Sequence, residues 1–314
     1  MSPGILFYCK HPIILDICTI KARKGDISIY GIIIKAKMNI FIRVLASLEA
    51  RLNQPWLSLW RTVYFNFRTM PFHVAVKLPV FIYGKVRLFG LNGKVVFENT
   101  AMRRGMVKIG KNADSFSLFD HSGFIQLGSK FSKIVFEGPT SISVNSKVRV
   151  VAGELHFGKY AYIGEGVRIV CNGGTIHIGA YSRVAFETTI MNSGFHHVFN
   201  SNKGSITRTT RPVMIGNYCW IGNRTTLSAG AAIKDYTIVC AGSIVNRDYT
   251  QIEGENQMLG GSPAKLICCG MKRIFSPKLE SQVIEWFNEH PSENVYVLPH
   301  FEDNIADINS EFER

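Results

Sequence analysis

Two adjacent histidines, His196 and His197, lie in a segment of the chain that could carry proton-transfer chemistry. Histidine suits the role of a general base near neutral pH, because its imidazole changes charge there. The surrounding residues 191–212 interrupt a regular repeat, and irregular segments of this length are usually functional or disordered. A histidine taken alone is more simply an exposed or hydrogen-bonded residue, so the prediction depends on the elements that flank the segment.

A repeat of six residues follows this segment. Over residues 213–250, aliphatic side chains recur at every sixth position, namely Ile215, Ile221, Leu227, Ile233, Val239 and Val245. Helices repeat apolar residues at three and four and half-buried strands at two, so neither fits. Such short repeats are typical of a parallel β-helix, whose coils stack about 4.8 Å apart. Glycines after the aliphatic, as at Gly216 and Gly222, predict sharp corners where positive φ is permitted.

After residues 78–84 the chain is predicted to turn to strands, and weaker hexads then precede the segment, at Ile109, Leu127, Phe157, Ile163, Ile169, Ile178, Val184 and Ile190. Ile109 and Leu127 are predicted to lie one full coil apart. The register slips between Ile169 and Ile178, which predicts extra residues at a corner, around Asn172 to Gly174. The segment with the two histidines is therefore predicted to be a loop that leaves the β-helix at one corner and returns to it.

The hexads resemble those of the hexapeptide-repeat acyltransferases, as do YCWIG (218–222), CAGSIVNRD (240–248) and GGSPAK (260–265). The resemblance is strongest to sugar O-acetyltransferases of the maltose and galactoside type and to enzymes that acetylate bacterial surface polysaccharides. It implies an all-β fold, a left-handed parallel β-helix with three hexads per coil. It also implies direct transfer of an acetyl group from acetyl-CoA to a sugar hydroxyl, by a homotrimer that binds the donor between neighbouring subunits. The left hand rests on the resemblance alone, since parallel crossovers are generally right-handed.

The resemblance assigns the catalytic role residue by residue. Within residues 195–200, His196 stands at the position of the general base. His197 falls where a small residue or proline is usual, and Asn200 replaces the common aspartate. Both are secondary catalytic candidates, and the orientation of the base is open. Glu187 matches a position that contacts the acceptor sugar, so it would bind a hydroxyl or help to orient the base, although an exposed corner charge explains it equally well.

The predicted donor site follows the coils after the loop. Its candidates by resemblance are Trp220, Asn223, Ala241, Gly242, Asn246, Arg247 and Lys265, with Lys272 and Arg273 as weaker ones. The indole of Trp220 would pack on the pantetheine arm or, alternatively, against the loop at the rim. Lys265 would meet the phosphates through charge-assisted contacts. The sequence has no Walker-type phosphate loop, and no metal is predicted.

The N-terminal part of the chain is apolar, aromatic and basic. Residues 1–37 are an uncertain extension, since Met38 is an alternative start, and residues 38–105 are predicted to be a helical, aromatic region. Its second helix is predicted over residues 57–67. This region is either a cap over the first coil that helps trimer assembly or a peripheral contact with the inner membrane surface. The membrane contact would use Trp56, Trp60 and Tyr64 at the interface, with Arg51, Arg61 and Arg68 near the lipid head groups.

The remaining boundaries follow from the hexads. Residues 106–268 are predicted to form the β-helix domain, with residues 191–212 as its catalytic loop. Residues 269–314 are predicted to contain a helix with Ser276 as N-cap and Pro277 at its first position, followed by a solvated acidic tail.

Composition limits the classes of function. The chain has 314 residues, 46% of them hydrophobic and 19% charged, as in ordinary globular proteins. No run of eighteen apolar residues and no secretory signal is visible, and the seven cysteines lack paired spacing, so a cytoplasmic location is predicted. The net charge of +13 favours anionic partners such as coenzyme A, an acidic sugar or a membrane surface. Nucleic acid ranks last, because the basic residues are dispersed.

Other functions stay open. An N-acyltransferase that acts on an amino sugar is the nearest alternative, and a non-catalytic β-helix scaffold or membrane adaptor is a remote one. A zinc lyase of the carbonic anhydrase type would require three histidine ligands on neighbouring coils. The adjacent His196 and His197 do not make that pattern.

Overall fold

A computed structural model describes residues 55–111 and 122–298, together with Asn309 and Phe312. The predictions for residues 1–37, for the first N-terminal helix and for Arg51 lie outside the described residues. The described chain begins with two helices, α1 (Leu59–Thr69) and α2 (Phe72–Ala75), and then enters a long series of short strands.

The strands form three ladders, which are the three sides of the β-helix. Each strand pairs with the corresponding strand of the next coil and not with its neighbour in sequence. The first ladder contains β1 (Val80–Ile82), β4 (Val107–Ile109), β7 (Thr140–Ile142), β9 (Ala161–Ile163), β11 (Arg183–Val184), β16 (Trp220–Ile221), β19 (Ile238–Val239), β21 (Met258–Gly261) and the antiparallel β22 (Ala264–Cys268). The second contains β2 (Lys85–Leu91), β5 (Ser122–Leu127), β8 (Lys147–Phe157), β10 (Arg168–Ile178), β12 (Thr189–Met191), β17 (Thr226–Leu227) and β20 (Ile244–Val245). The third contains β3 (Lys94–Phe97), β6 (Ser132–Phe136), the second halves of β8 and β10, β15 (Val213–Ile215) and β18 (Ala232–Ile233).

The hexad aliphatics fill the interior, as predicted. Ile215, Ile221 and Leu227 are at most 1% exposed and lie on the third, first and second ladders in turn. The next three aliphatics repeat that order, so one coil takes three hexads. This confirms a parallel β-helix, and its left hand stays a prediction from the resemblance.

Glycine occupies the corner positions for a different reason from the predicted one. Gly216 and Gly222 are absent from the positive-φ positions. A Cβ at either glycine would lie 2.5 to 2.6 Å from a backbone nitrogen of the next coil, so close packing of coils excludes a side chain. Positive φ values occur at other positions, among them the tyrosines of one corner, Tyr160, Tyr181, Tyr218 and Tyr236, at 54° to 60°. Their rings stack at centroid distances of 5.2, 4.7 and 4.9 Å, which offsets the backbone strain.

The β-helix begins earlier than predicted. Its first coil contains β1, β2 and β3 from Val80 onward, so the predicted strands after residues 78–84 are present and the boundary between the helical region and the β-helix at residue 106 is corrected. Ile109 and Leu127 do not lie one coil apart, since Ile109 pairs in register with Ile142 on the first ladder. Aromatic rings fill the interior of these early coils, where Phe97, Phe136 and Phe157 stack, and hexads with such large residues are harder to recognise.

The helix α1 closes the end of the first coil. Asn66 donates to the Val80 carbonyl (2.7 Å) and accepts from the Val80 amide (3.2 Å), and Thr62 accepts from the Ile82 amide (3.0 Å). These bonds satisfy the backbone of the edge strand β1, which would otherwise be open to pairing. The predicted second helix and its capping role are therefore confirmed. Its outer face stays exposed, with Trp60 at 62%. In the described part of the chain, no helix is long and apolar enough to cross a membrane.

The C-terminal helix α3 (Pro277–Glu289) has the predicted cap. The Ser276 hydroxyl accepts from the Leu279 amide at 3.3 Å, and Pro277 occupies the first turn. The acidic residues of the predicted tail lie outside the described residues, whereas two of its other residues contact the β-helix. Phe312 packs edge-on against Tyr160 at 5.3 Å, its carbonyl accepts from Lys108 at 2.8 Å, and Asn309 accepts from the Tyr181 hydroxyl at 3.2 Å.

Candidate active site

The interrupted segment forms a hairpin outside the β-helix. The strands β13 (Phe199–Asn200) and β14 (Ser205–Ile206) pair antiparallel, and the side chains at its tip are exposed. The chain leaves after β12 on the second ladder and returns at β15 on the third ladder. The predicted excursion from one corner is therefore confirmed.

Hydrogen bonds at the base hold this hairpin on the coil beneath it. The buried Asn192 accepts from the Asn172 amide at 2.8 Å and donates to the Gly173 carbonyl. The Thr210 hydroxyl donates to the Asn172 carbonyl at 3.2 Å, and its oxygen lies 3.1 Å from the Ser193 hydroxyl oxygen. The extra residues that the register slip predicted in β10 thus form a bulge that receives the base of the loop. Sequence reasoning missed Asn192 and Thr210, because neither belongs to a motif.

The two histidines lie just beyond this base. Phe195 has a φ of 62°, and the His196 amide donates to the Gly194 carbonyl at 2.7 Å, so the backbone makes a tight turn at the histidines. Both imidazoles are exposed, and neither has a hydrogen-bond partner among the described residues. Such an exposed ring is accessible to a substrate hydroxyl.

His196 lines a cavity of about 230 Å³, here named the loop cavity. Its lining comprises Met191, Ser193, Gly194, His196, Val198, Thr207, Arg208, Thr209, Arg211, Ser228 and Ala229. His197 is not among these residues, and the choice of His196 as the base stays a prediction. Two arginines give the cavity a positive potential, which suits an anionic substrate group.

The secondary candidate Asn200 has a local task. Its side-chain oxygen accepts from the amides of Asn202 (3.1 Å) and Lys203 (3.0 Å), which closes the hairpin turn. This side chain therefore does not orient His196 in the structure. Glu187 lies at a corner with a φ of 56° and accepts from Arg224 at 2.6 Å. It does not line the loop cavity, and its predicted contact with the acceptor stays untested.

A larger cavity of about 400 Å³, here named the wall cavity, lies against the first ladder. It is lined by Lys108, Lys111, Ser141, Tyr162, Gly164, Arg183, Val184, Ala185, Phe186, Trp220, Asn223, Arg273 and Phe312. Two of the predicted donor-site residues, Trp220 and Asn223, lie here, together with the weaker candidate Arg273.

The floor of the wall cavity is a single row of outward-facing residues. Lys108, Ser141, Tyr162, Arg183 and Trp220 are paired in register from strand to strand. Each comes one position before a buried aliphatic of the first ladder. The hexads thus mark each residue of the row by its position before the aliphatic. The row itself becomes visible only when strands far apart in sequence are aligned.

Cations and aromatic rings alternate in this cavity. The guanidinium of Arg183 lies 5.9 Å from the Tyr162 ring centre and 5.2 Å from that of Phe312, and Arg273 lies 5.6 Å from that of Trp220. Burial, and then the neighbouring positive charge of Lys111, lowers the pKa of the Lys108 ammonium. An anion that binds in the cavity would reverse part of that shift, because it favours the charged form of the lysine.

The other predicted donor residues lie outside both cavities. Ala241 and Gly242 are exposed at the next corner, and nothing lies within 4 Å of a Cβ built on Gly242, so a ligand could approach this backbone closely. Asn246 and Arg247 are exposed, and the Arg247 guanidinium lies 5.1 Å from the Tyr249 ring centre. Lys265 is exposed on β22. The structure leaves their predicted roles untested.

The buried cysteines are not nucleophiles. Burial raises the pKa of Cys171 to about 11 and that of Cys219 to about 12. Only the thiolate is reactive, and it is scarce at neutral pH for both. No metal was predicted, but the side chains of Glu137, His156 and His177 converge on the third ladder.

Comparison with known proteins confirms the resemblance to acetyltransferases. The chain is 29% identical to the galactoside O-acetyltransferase of Escherichia coli (strain K12) over 113 residues, which cover 36% of this chain and 53% of that protein. It is 27% identical over 145 residues to a probable macrolide acetyltransferase of Lysinibacillus sphaericus, with 44% of this chain and 71% of that protein covered. The chain thus spans about half the length of the first relative.

Among solved structures, the chain is similar to the polySia-specific acetyltransferase NeuO. The TM-score is 0.46 at 18% identity, with 69% of this chain and 85% of that chain covered. No protein-family model matches the sequence.

Proposed function

We propose that the protein is an acetyl-CoA-dependent O-acetyltransferase that acts on a sugar hydroxyl of a bacterial surface polysaccharide or its precursor. The observation that carries the proposal is the position of His196, exposed in a cavity where the β-helix is interrupted and its loop is pinned. The similarity to a galactoside O-acetyltransferase supports the reaction and the sugar acceptor.

In the proposed reaction, His196 removes the proton of the acceptor hydroxyl while its oxygen attacks the thioester carbonyl of acetyl-CoA. The tetrahedral intermediate collapses to the acetyl ester and the thiolate of CoA. That thiolate takes the proton back from the imidazolium, which restores the neutral base. No acyl-enzyme is formed, which agrees with the raised pKa of both buried thiols.

Trp220 and Asn223 in the wall cavity bind the donor in this proposal, and Ala241 and Gly242 flank its pantetheine arm. Trp220 is 40% exposed, so its ring offers a face to the arm. The cations Lys108, Lys111, Arg183 and Arg273 suit a donor or an acceptor that carries negative charge. Asn246, Arg247 and Lys265 remain proposed contacts to the nucleotide end.

We further propose a homotrimer, in which the loop cavity of one subunit faces the wall cavity of its neighbour. The two cavities share no lining residue, so base and donor residues form separate groups in the described chain. A neighbouring copy would bring them together. We place the enzyme in the cytoplasm, where acetyl-CoA is made, with peripheral membrane contact through the exposed face of α1.

The decisive experiment measures CoA release from acetyl-CoA with a panel of sugars, amino sugars, nucleotide sugars and isolated oligosaccharides. Wild type, His196→Ala and His197→Ala are compared, with His73→Ala as an exposed control in α2. We expect ester formation on a hydroxyl sugar that His196→Ala alone abolishes. Amide formation on amino sugars would replace the proposal by an N-acyltransferase. Failure to bind acetyl-CoA in calorimetry would leave a non-catalytic scaffold.

A further inference from the structure

A second row of outward-facing residues runs along the third ladder. His156 on β8 pairs in register with His177 on β10, and Met214 on β15 is the next residue in the row. The two histidines are therefore stacked on neighbouring coils, with ring centres 6.0 Å apart and planes inclined at 41°. Their separation in sequence hides this contact, because a bulge lengthens the intervening coil.

A carboxylate lies close to the two imidazoles. Glu137 directly follows β6 on the preceding coil, and one ligand atom from each of Glu137, His156 and His177 lies within 4.8 Å of the others. All three residues are half-buried. This cluster lies outside the loop cavity and outside the wall cavity, and the proposed acyl transfer does not use it.

A second carboxylate orients one of the imidazoles. Glu154 lies 2.8 Å from Nε2 of His156, and it is itself held by Lys133, whose ammonium lies 3.6 Å from Glu154 and 3.1 Å from Glu98. Histidines that bind metals commonly have such a carboxylate on the other ring nitrogen, which sets the tautomer and the ring orientation. The arrangement thus includes both the ligands and a support for one of them.

We propose that Glu137, His156 and His177 form a binding site for a divalent transition metal ion, with zinc as the best match. Two imidazoles and one carboxylate are a ligand set that zinc takes, with a fourth position left for water. Bonds of about 2.0–2.2 Å place tetrahedral ligand atoms about 3.3–3.6 Å apart, so modest side-chain rotations close the present separation. Calcium and magnesium fit poorly, because both require mainly oxygen ligands.

The proposed metal would link successive coils. Glu137, His156 and His177 belong to adjacent turns of the third ladder, following β6 and on β8 and β10. A bound ion would add coordination bonds parallel to the backbone hydrogen bonds that stack these coils. Binding to the folded state alone raises the apparent stability of the protein. The inference is independent of the proposed acetyltransferase activity.

The test uses the full chain, stripped with a chelator, loaded with zinc and desalted, and then analysed for metal content. We expect one zinc ion per chain in the wild type and less than a fifth of that in His156→Ala and in His177→Ala. His73→Ala and Glu255→Gln change exposed residues of the same types and should retain the wild-type content. Zinc should also raise the Tm of the wild type by several degrees and leave that of the two variants unchanged.

A conservative variant covers the case in which an alanine variant fails to fold. Glu137→Gln keeps the shape of the side chain and removes its charge, and circular dichroism checks its fold. Cobalt provides a spectroscopic readout, since the wild type should show the visible absorption of a tetrahedral Co²⁺ site and Glu137→Gln should lose or shift it. Wild type without zinc, or zinc retained by the double variant His156→Ala, His177→Ala, overturns the proposal. Retained zinc would point to other ligands, such as Cys268 and Cys269.

Discussion

The wall cavity and the loop cavity are built in opposite ways. The wall cavity depends on the register between parallel strands. Its floor is a row of residues, one from each coil, and strand pairing places them side by side. Specific side-chain hydrogen bonds build the loop cavity, because a hairpin outside the β-helix has no ladder to hold it. The rigid repeat can therefore position binding residues by itself, whereas the position of the residue proposed as base depends on a few polar contacts.

The two cavities also differ in what they offer. The wall cavity combines cations with aromatic rings and is partly closed by Phe312, which suits a charged ligand with an extended arm. The loop cavity is smaller and exposes an imidazole at its edge. Mutations can therefore separate proton transfer from donor binding, and we expect the effects to fall in the following order.

Replacement of His196 should have the largest effect. His196→Ala removes the proposed base, so kcat should fall about 10²- to 10⁴-fold, the usual contribution of a general base. The KM for acetyl-CoA should change little, because the donor is assigned to the other cavity. Turnover is followed by CoA release, with His197→Ala as the matched neighbour. If His196→Ala and His197→Ala lose kcat equally, the assignment of the base to His196 alone is wrong.

Replacement of Trp220 should weaken the binding of acetyl-CoA. Trp220→Ala removes a half-exposed ring from the wall cavity, so the KM for acetyl-CoA should rise about tenfold, equivalent to about 1.4 kcal/mol. The value of kcat should fall much less. Trp60→Ala, which removes a 62% exposed ring from α1, is the control. A fall in kcat without a change in KM would contradict the separation of the two cavities.

Replacement of Asn192 should loosen the loop from its support. Asn192→Ala leaves the Asn172 amide and the Gly173 carbonyl without this buried partner, which should lower the free energy of unfolding by about 1–3 kcal/mol. Because the base moves with the loop, kcat should also fall several-fold in the folded protein. Urea unfolding and CoA release measure the two effects, with the exposed Asn202→Ala as control. Unchanged stability would mean that the base of the loop is held by other contacts.

Replacement of Glu187 should have the smallest effect. Its side chain is 48% exposed and pairs with the 69% exposed Arg224, and exposed pairs contribute about 0–1 kcal/mol. Glu187→Gln should therefore change the KM for the acceptor less than twofold, as should Arg224→Gln. A rise of tenfold or more in Glu187→Gln alone would support the acceptor contact that the motif predicted.

Much of the fold could be predicted because the hexads report burial directly. Each aliphatic from Ile215 to Val245 must face the interior, and a period of six leaves no other regular arrangement. The first coil was missed, since rings such as Phe97 replace aliphatics there and glycines are scarcer after them. The true reason for Gly216 was also missed, because the distance to the next coil is a tertiary quantity.

The candidate site was predictable to a similar extent. A motif marked His196, Trp220 and Asn223, and the structure brings the last two into one cavity. It does not join Asn200 to His196, since Asn200 closes its own turn. Asn192, Arg183 and Phe312 belong to no motif, and their contacts cross many residues of sequence.

The repeat, the inward face of each strand, the break at residues 191–212 and the cap at Ser276 can be read from the sequence, because each is a local consequence of residue type and spacing. Which outward-facing residues share a row depends on the tertiary structure. Lys108 and Trp220 line the same cavity, and His156 pairs in register with His177, although the coils between these residues differ in length. Insertions and bulges change the number of residues per coil. The alignment of residues on neighbouring coils is therefore set by backbone pairing between the coils, and a local sequence pattern does not reveal it.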